Sequence, residues 1–179
     1  MKNIEVETKT FISKEQHGSL IDFFTKNGTF LGDDEQMTYY FDSEYHLRIQ
    51  KNKTYSKVCM KKGGIHDEQR EEMEIRLPVE EFEKLEQLFT NLGYRVIIKW
   101  FRTRHSFKWQ NIEVAVDYTK GYGYILELEQ MADEQNKEGV LQFLKQKLTE
   151  LGIAETPKDE FDQKYKYYKE NWKELVNNG

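Results

Sequence analysis

A single cysteine, Cys59, among 179 residues leaves no internal disulfide framework and no multi-thiolate metal site, and it agrees with a reducing compartment. Its expected place is that of a small buried or half-buried hydrophobe. Histidine is scarce too. His17, His46, His66 and His105 are scattered and never take the His-Glu-x-x-His spacing of a zinc protease, so any metal must be held by carboxylates. No apolar run approaches the roughly 18 residues that cross a bilayer, and the opening Met1-Lys2-Asn3-Ile4-Glu5 has no apolar leader stretch. A cytoplasmic protein with no membrane partner is expected. Nor is there an excess of positive charge: a net charge of -5 argues against nucleic acid as the partner, although it leaves room for a local basic pocket. No repeat, low-complexity tract or linker interrupts the chain, so residues 1–179 are expected to form one domain.

What is present is aromatic and charged side chain, at 14% and 33% of residues, which is too rich in Tyr, Phe and Trp for a disordered chain. Three segments have helical periodicity. Residues 13–28 open with the capping box Ser13 and Gln16, carry Leu20, Ile21, Phe23 and Phe24, and stop at Gly28. Residues 79–93 follow Pro78 and place Phe82, Leu85, Leu88, Phe89 and Leu92 on one stripe. Residues 133–152 carry Val140, Leu141, Leu144, Leu148 and Leu151. A fourth, over 161–176, repeats Tyr165, Tyr168, Trp172 and Val176.

Between the helices the period is two. Ile4, Val6, Thr8, Thr10 and Ile12 alternate with Glu5, Glu7, Lys9 and Phe11, and similar alternation marks residues 47–50, 57–61, 72–77, 113–118 and 126–129. With residues 37–42 and the long stretch 94–109 this makes about eight strands. In the long stretch Tyr94, Val96, Ile98 and Trp100 give way to Phe101, Thr103, Phe107 and Trp109 on the other parity, which predicts a bulge near Trp100 and Phe101. Turn signals at Gly63-Gly64, Gln110-Asn111 and Gly121-Tyr122-Gly123 point to antiparallel hairpins.

Strands with one apolar and one charged face fit either an open sheet, wet on one side, or an inverted barrel whose charged faces line a lumen. The charge types favour the barrel. All six arginines, Arg48, Arg70, Arg76, Arg95, Arg102 and Arg104, lie in the strand-rich middle, and arginine is the residue for bidentate phosphate contact. Glu5, Glu7, Glu72, Glu74, Asp117, Glu127 and Glu129 share their parity, and so many carboxylates on one surface repel unless lysine, arginine or a divalent metal sits among them. Carboxylates two apart on a strand are about 7 Å apart on one face, near enough to share a hard cation directly or through water. Lys9, two residues further on, would meet an anion that the metal also contacts, which is the arrangement phosphoryl transfer needs.

The run Glu5-Val6-Glu7-Thr8-Lys9 resembles the Glu-x-Glu-x-Lys signature of the CYTH superfamily, the triphosphate tunnel metalloenzymes. Tyr39-Tyr40-Phe41-Asp42, Leu47-Arg48-Ile49, Val58-Cys59-Met60-Lys61 and Arg70-Glu71-Glu72-Met73-Glu74 are similar to its later motifs. So are Lys99 with Arg102 or Arg104, and Asp117 with Gly121, Gly123, Glu127 and Glu129, all in family order. The resemblance implies an α+β fold: an eight-stranded antiparallel β-barrel, or tunnel, with a charged lumen and flanking helices. It implies a bound triphosphate and one or two Mg or Mn ions. Glu5, Glu7, Glu127 and Glu129 would be metal-side carboxylates, with Glu74 and Asp117 as additions. Lys9, Arg48, Lys57, Lys61, Arg70 and one of Arg102 or Arg104 would cradle the triphosphate, and Glu5, Glu7, Lys9 and Arg70 would act on the reacting phosphate. Gln50 departs from the family, which often has a second arginine there.

The implied activity is metal-dependent hydrolysis of a triphosphate, inorganic triphosphate first, releasing orthophosphate. The same resemblance also admits an adenylate cyclase making cyclic AMP and pyrophosphate, a thiamine triphosphatase, or a polyphosphate-binding or nucleotide-binding module without turnover. A homodimer stays open.

Overall fold

Alternation along each strand becomes two faces of one antiparallel sheet. The computed structural model describes residues 4–62, 69–70 and 72–177, with the side chains of 69, 70 and 72 outside the description; the Gly63-Gly64 turn lies outside it as well. The strands are β1 (Ile4–Ile12), β2 (Thr29–Phe41), β3 (His46–Lys51), β4 (Tyr55–Lys61), β5 (Gln69–Arg70), β6 (Glu72–Pro78), β7 (Val96–Trp109), β8 (Ile112–Thr119) and β9 (Gly123–Ala132). The helices are α1 (Lys14–Asn27), α2 (Phe82–Asn91), α3 (Lys137–Glu150) and α4 (Lys158–Asn177).

The strands pair in the order β5-β1-β9-β8-β7-β2-β3-β4-β6. Two-residue β5 lies beside β1, while β6 begins at Glu72 beside β4, so segments two residues apart in sequence sit at opposite ends of the order. Only a sheet curled round on itself can do that. Lys61 on β4 gives the same answer from the inside, with its Nζ 2.5 Å from Glu5 Oε1 on β1. Eight long strands and the short β5 thus form the tunnel of an α+β fold.

Its polarity is the reverse of an ordinary small barrel. The outer face carries the core. Val6, Val114, Val116, Leu126 and Leu128 pack under Leu20 and Phe24 of α1 and Leu141, Leu144 and Leu148 of α3. Tyr39, Phe41 and Ile49 pack under Phe82 and Leu85 of α2. Each such side chain, fully buried, is worth about 1.5–3 kcal/mol, so the helices cover the apolar faces and the charged faces are left to the inside. Ser13 caps α1 reciprocally with Gln16, at 3.1 Å and 2.8 Å. Gln110 and Asn111 adopt positive φ of 49° and 64° in the two-residue β7–β8 hairpin, as a type I′ turn requires.

The fourth helix sits differently. Its stripe of Tyr165, Tyr168, Trp172, Leu175 and Val176 meets Tyr40, Ile98, Trp100 and Tyr122 across one end of the tunnel. Phe161 of the same helix stacks on Phe11, the last inward residue of β1, with ring centroids 4.4 Å apart. Gly121 makes this approach feasible: its φ is +74°, and a Cβ there would lie 2.8 Å from Leu175 Cβ.

Two expectations change. Pairing near Trp100 and Phe101 is regular, and the slip comes earlier: Tyr40 pairs with Ile98 but Phe41 with Val96, leaving Ile97 as the extra residue. The apolar parity misleads because Ile98 and Trp100 face the end that α4 covers, so being apolar does not place them on the outer face. Strand β2 also starts at Thr29 rather than near Met37, because residues 29–36 pair with β7 alone and carry no apolar alternation.

Candidate active site

Inward-facing residues of all eight long strands line one cavity of about 590 Å³, a small-molecule size but with a charged wall. Seven acidic and seven basic side chains take part, which makes the wall nearly neutral overall. They are not mixed at random. Regular period-two geometry puts Glu5, Glu7 and Lys9 of β1 in line, and antiparallel pairing sets Glu129 opposite Glu7 and Glu127 opposite Lys9.

Three carboxylates converge: oxygens of Glu5, Glu7 and Glu129 lie within 4.8 Å of one another. Glu7 is buried, and Lys9 Nζ is its partner at 2.9 Å, while Glu5 meets Lys61. Burial first, then the charges of Glu127 and Glu7, push the Glu129 carboxyl up to about 7. A carboxyl held that high between two others suits a divalent cation, which would restore its ionised form. All-oxygen donors are those that Mg or Mn prefer.

Two residues along, the balance reverses. Burial raises the Glu127 carboxyl, but Lys9, Arg104, Arg102 and Lys61 outweigh it and hold that carboxyl well below the usual range. Lys9 Nζ is 3.5 Å from Glu127 Oε2 and an Arg104 nitrogen is 3.4 Å from Oε1. Buried Asp117 binds both arginines: Arg104 donates through Nε and a terminal nitrogen at 2.9 and 2.7 Å, and Arg102 donates at 3.2 Å. Gln36 Oε1 accepts from the Nε and a terminal nitrogen of Arg102, and Gln36 in turn donates to Asp34 at 2.8 Å. The guanidinium groups are thus fixed in place before any ligand arrives.

Of the carboxylates assigned to metal by resemblance, the structure gathers Glu5, Glu7 and Glu129. Glu127 and Asp117 are engaged by cations, and Glu74 pairs with Lys57 at 2.5 Å and Arg76 at 2.7 Å. Of the assigned cradle, Lys9, Arg48, Lys57, Lys61, Arg102 and Arg104 all line the cavity. Both Arg102 and Arg104 face inward because the bulge at Ile97 precedes them. Arg70 has its backbone opposite Glu5 on β1; its side chain is outside the described residues. Gln50 is buried and faces inward beside Lys57. Sequence reasoning missed Gln36 and Asp34; the signal available was the polar period-two series Asp34, Gln36, Thr38 in front of Tyr40.

A family model for the CYTH domain matches residues 3–164. Among curated proteins, a candidate adenylate cyclase of Methanocaldococcus jannaschii is 34% identical over 86 residues, 48% of this chain and 48% of that protein. The match therefore spans about half the length of that relative. Among solved structures, a conserved hypothetical protein of Pyrococcus furiosus superposes with a TM-score of 0.72 at 22% identity, over 84% of this chain and 91% of the other. A candidate adenylyl cyclase of Hippeastrum, described with a dominant triphosphatase activity, superposes with a TM-score of 0.62 at 17% identity, over 88% of this chain and 93% of the other. At these identities the likeness is one of fold. No helix among the described residues is long and apolar enough to cross a membrane.

Proposed function

The chain belongs to the CYTH domain family, and on that premise we propose that it is a metal-dependent triphosphate hydrolase that releases orthophosphate, with inorganic triphosphate as first substrate. The observation that carries this reading is the cavity wall, in which three converging carboxylates share one cavity with Lys9, Arg48, Arg102 and Arg104. The fold-level relative from Hippeastrum, described with a dominant triphosphatase activity, favours hydrolysis over cyclisation.

Glu5, Glu7 and Glu129 would hold one or two Mg or Mn ions. Such an ion, when bound, neutralises phosphate oxygens and polarises the phosphorus that they surround. The remaining work falls to the protein. Lys9, Lys61, Arg102 and Arg104 bind the non-bridging oxygens and offset the charge that builds on them in the transition state. Asp117 and Gln36 keep the two guanidinium planes fixed, so little reorganisation is needed when the substrate arrives. Glu127, 3.5 Å from Lys9 Nζ and 3.4 Å from an Arg104 nitrogen, keeps both aimed inward. Water attack on the terminal phosphorus then forms a new P–O bond as its bridging P–O bond breaks, so the terminal phosphoryl leaves as orthophosphate and the basic side chains offset the charge on the departing diphosphate.

The test is phosphate and pyrophosphate release from inorganic triphosphate, ATP and thiamine triphosphate in parallel, with Mg, with Mn and with chelator. Metal-dependent orthophosphate from inorganic triphosphate, in excess over that from ATP, is expected. Pyrophosphate with cyclic AMP from ATP would assign the same tunnel to a cyclase. Triphosphate binding with no release at any metal concentration would make it a binding module.

A further inference from the structure

Asp34 lines the cavity with the other carboxylates, yet it is not among the three that converge. Its Oδ2 accepts from two amides instead, Gln36 Nε2 at 2.8 Å and Asn52 Nδ2 at 3.0 Å. Each amide has its other end committed. Gln36 Oε1 accepts from Arg102 Nε at 2.9 Å and from a terminal nitrogen of the same guanidinium. Asn52 Oδ1 accepts from the backbone N–H groups of Thr54 and Tyr55, both at 2.9 Å, and from Thr54 Oγ1 at 3.1 Å. A chain of hydrogen bonds thus runs from the β3–β4 turn through Asp34 to Arg102 in the tunnel wall. Chemistry fixes its direction: a guanidinium only donates and a carboxylate only accepts, whereas a side-chain amide does either, according to which end it turns. Between Arg102 and Asp34, Gln36 therefore has one workable orientation, with its oxygen toward the arginine. Without the Asp34 acceptor the amide is free to turn end for end, which sets its own N–H groups against those of Arg102. Asp117 is a poor substitute, since it meets Arg102 once, at 3.2 Å, and Arg104 twice, at 2.9 and 2.7 Å.

We propose that Asp34 is a positioning residue for the reaction: by selecting the orientation of the Gln36 amide it sets the plane of the Arg102 guanidinium, and by holding Asn52 it ties that plane to the β3–β4 turn. The inference rests on the triphosphate reading above and deepens it. Gln36 and Asp117 take three of the five N–H donors of Arg102, which leaves one on each terminal nitrogen for a phosphate. A neutral amide suits the place beside that arginine. A carboxylate there would hold the guanidinium as firmly but offset the charge that a phosphate needs. Setting the carboxylate one partner further away, at Asp34, gives the amide its direction and leaves the charge of Arg102 to the substrate.

Two measurements on the full chain test this together: hydrolysis of inorganic triphosphate with Mg, and exchange of the Arg102 Nε proton with water by heteronuclear NMR, its signal assigned by its loss in Arg102→Lys. Asp34→Ala is expected to lower kcat/KM about tenfold and to speed that exchange by about tenfold or more. Asp34→Asn, whose side-chain oxygen still accepts from both amides, should stay within about threefold of wild type in both. Because Asp34 acts through Gln36, adding Asp34→Ala to Gln36→Ala should cost no more than about twofold further. Unchanged exchange in Asp34→Ala, or a loss in Asp34→Asn as large as in Asp34→Ala, would overturn the inference. So would a full tenfold further loss of kcat/KM in the Gln36→Ala background, by showing that the carboxylate acts on metal or substrate directly. If wild-type protein turns over no triphosphate, the triphosphate reading fails, and the exchange rates alone still decide whether Asp34 holds Arg102.

Discussion

Glu129 is the side chain most at odds with its surroundings, since burial and the neighbouring Glu127 and Glu7 raise its carboxyl to about 7. The folded value exceeds the ordinary one near 4.5, so protonation of Glu129 stabilises the metal-free fold fully below pH 4.5, and that contribution is lost as pH rises through 7. Glu129→Gln is therefore expected to melt several degrees above wild type at pH 8 in chelator, and at about the same temperature near pH 4.5. Added Mg or Mn should close the gap at pH 8 by stabilising wild type alone. Thermal melts of both proteins across that range check it. Asp117 acts through other residues, because both arginines that it fixes are ones that would touch substrate. Asp117→Asn should lower kcat/KM for inorganic triphosphate on the order of tenfold to a hundredfold, with a flattened dependence of KM on salt as the arginines lose their aim. A kinetic series over ionic strength reads both.

At the level of elements, the turn between β8 and β9 matters more than its length suggests. Gly121 combines positive φ with contact against the α4 backbone, at 3.1 Å for a would-be Cβ and the Leu175 carbonyl oxygen. Gly121→Ala would cost about 1–2 kcal/mol for the left-handed backbone alone, before the clash. At 2–4 °C per kcal/mol for a chain of this size, a drop of several degrees in Tm is expected. The same variant should open the end that α4 covers, read as faster hydrogen exchange in α4 than in α3. The caps illustrate what local sequence can specify: Ser13 and Gln16 satisfy each other within one turn, and the structure repeats that pair. Strand β2 illustrates the opposite. Its residues 29–36 owe their extended form to β7 alongside them, and nothing local would predict it.

For the whole molecule, a buried ion pair bridges the two ends of the strand order. Lys61 is 5% exposed and meets Glu5 from the far end of the pairing order, so removing either partner deletes a buried contact that joins the two ends of the sheet. Lys61→Met is expected to cost about 3–5 kcal/mol, and Lys61→Met/Glu5→Gln should recover part of it. Comparing the two melting temperatures tests whether the pair closes the tunnel or merely decorates it. Much of this architecture was legible in the residues. Period-two alternation gave the strands, the Glu-x-Glu-x-Lys run and its followers gave the family, and the concentration of arginine on strands gave the polarity of the lumen. These are local properties, written in each strand by which side chains succeed one another. What the tertiary structure decided was convergence. Glu5, Glu7 and Glu129 meet, while Glu127 and Asp117 turn to the arginines, because curling and register set cross-strand neighbours. Likewise the apolar Ile98 and Trp100, which alternation turns inward, find apolar cover there because a helix sixty or more residues later lies across that end. Alternation fixes the face a side chain takes relative to its own strand; which charges share a few ångströms is fixed by contacts between distant segments, and no single stretch of sequence carries that information.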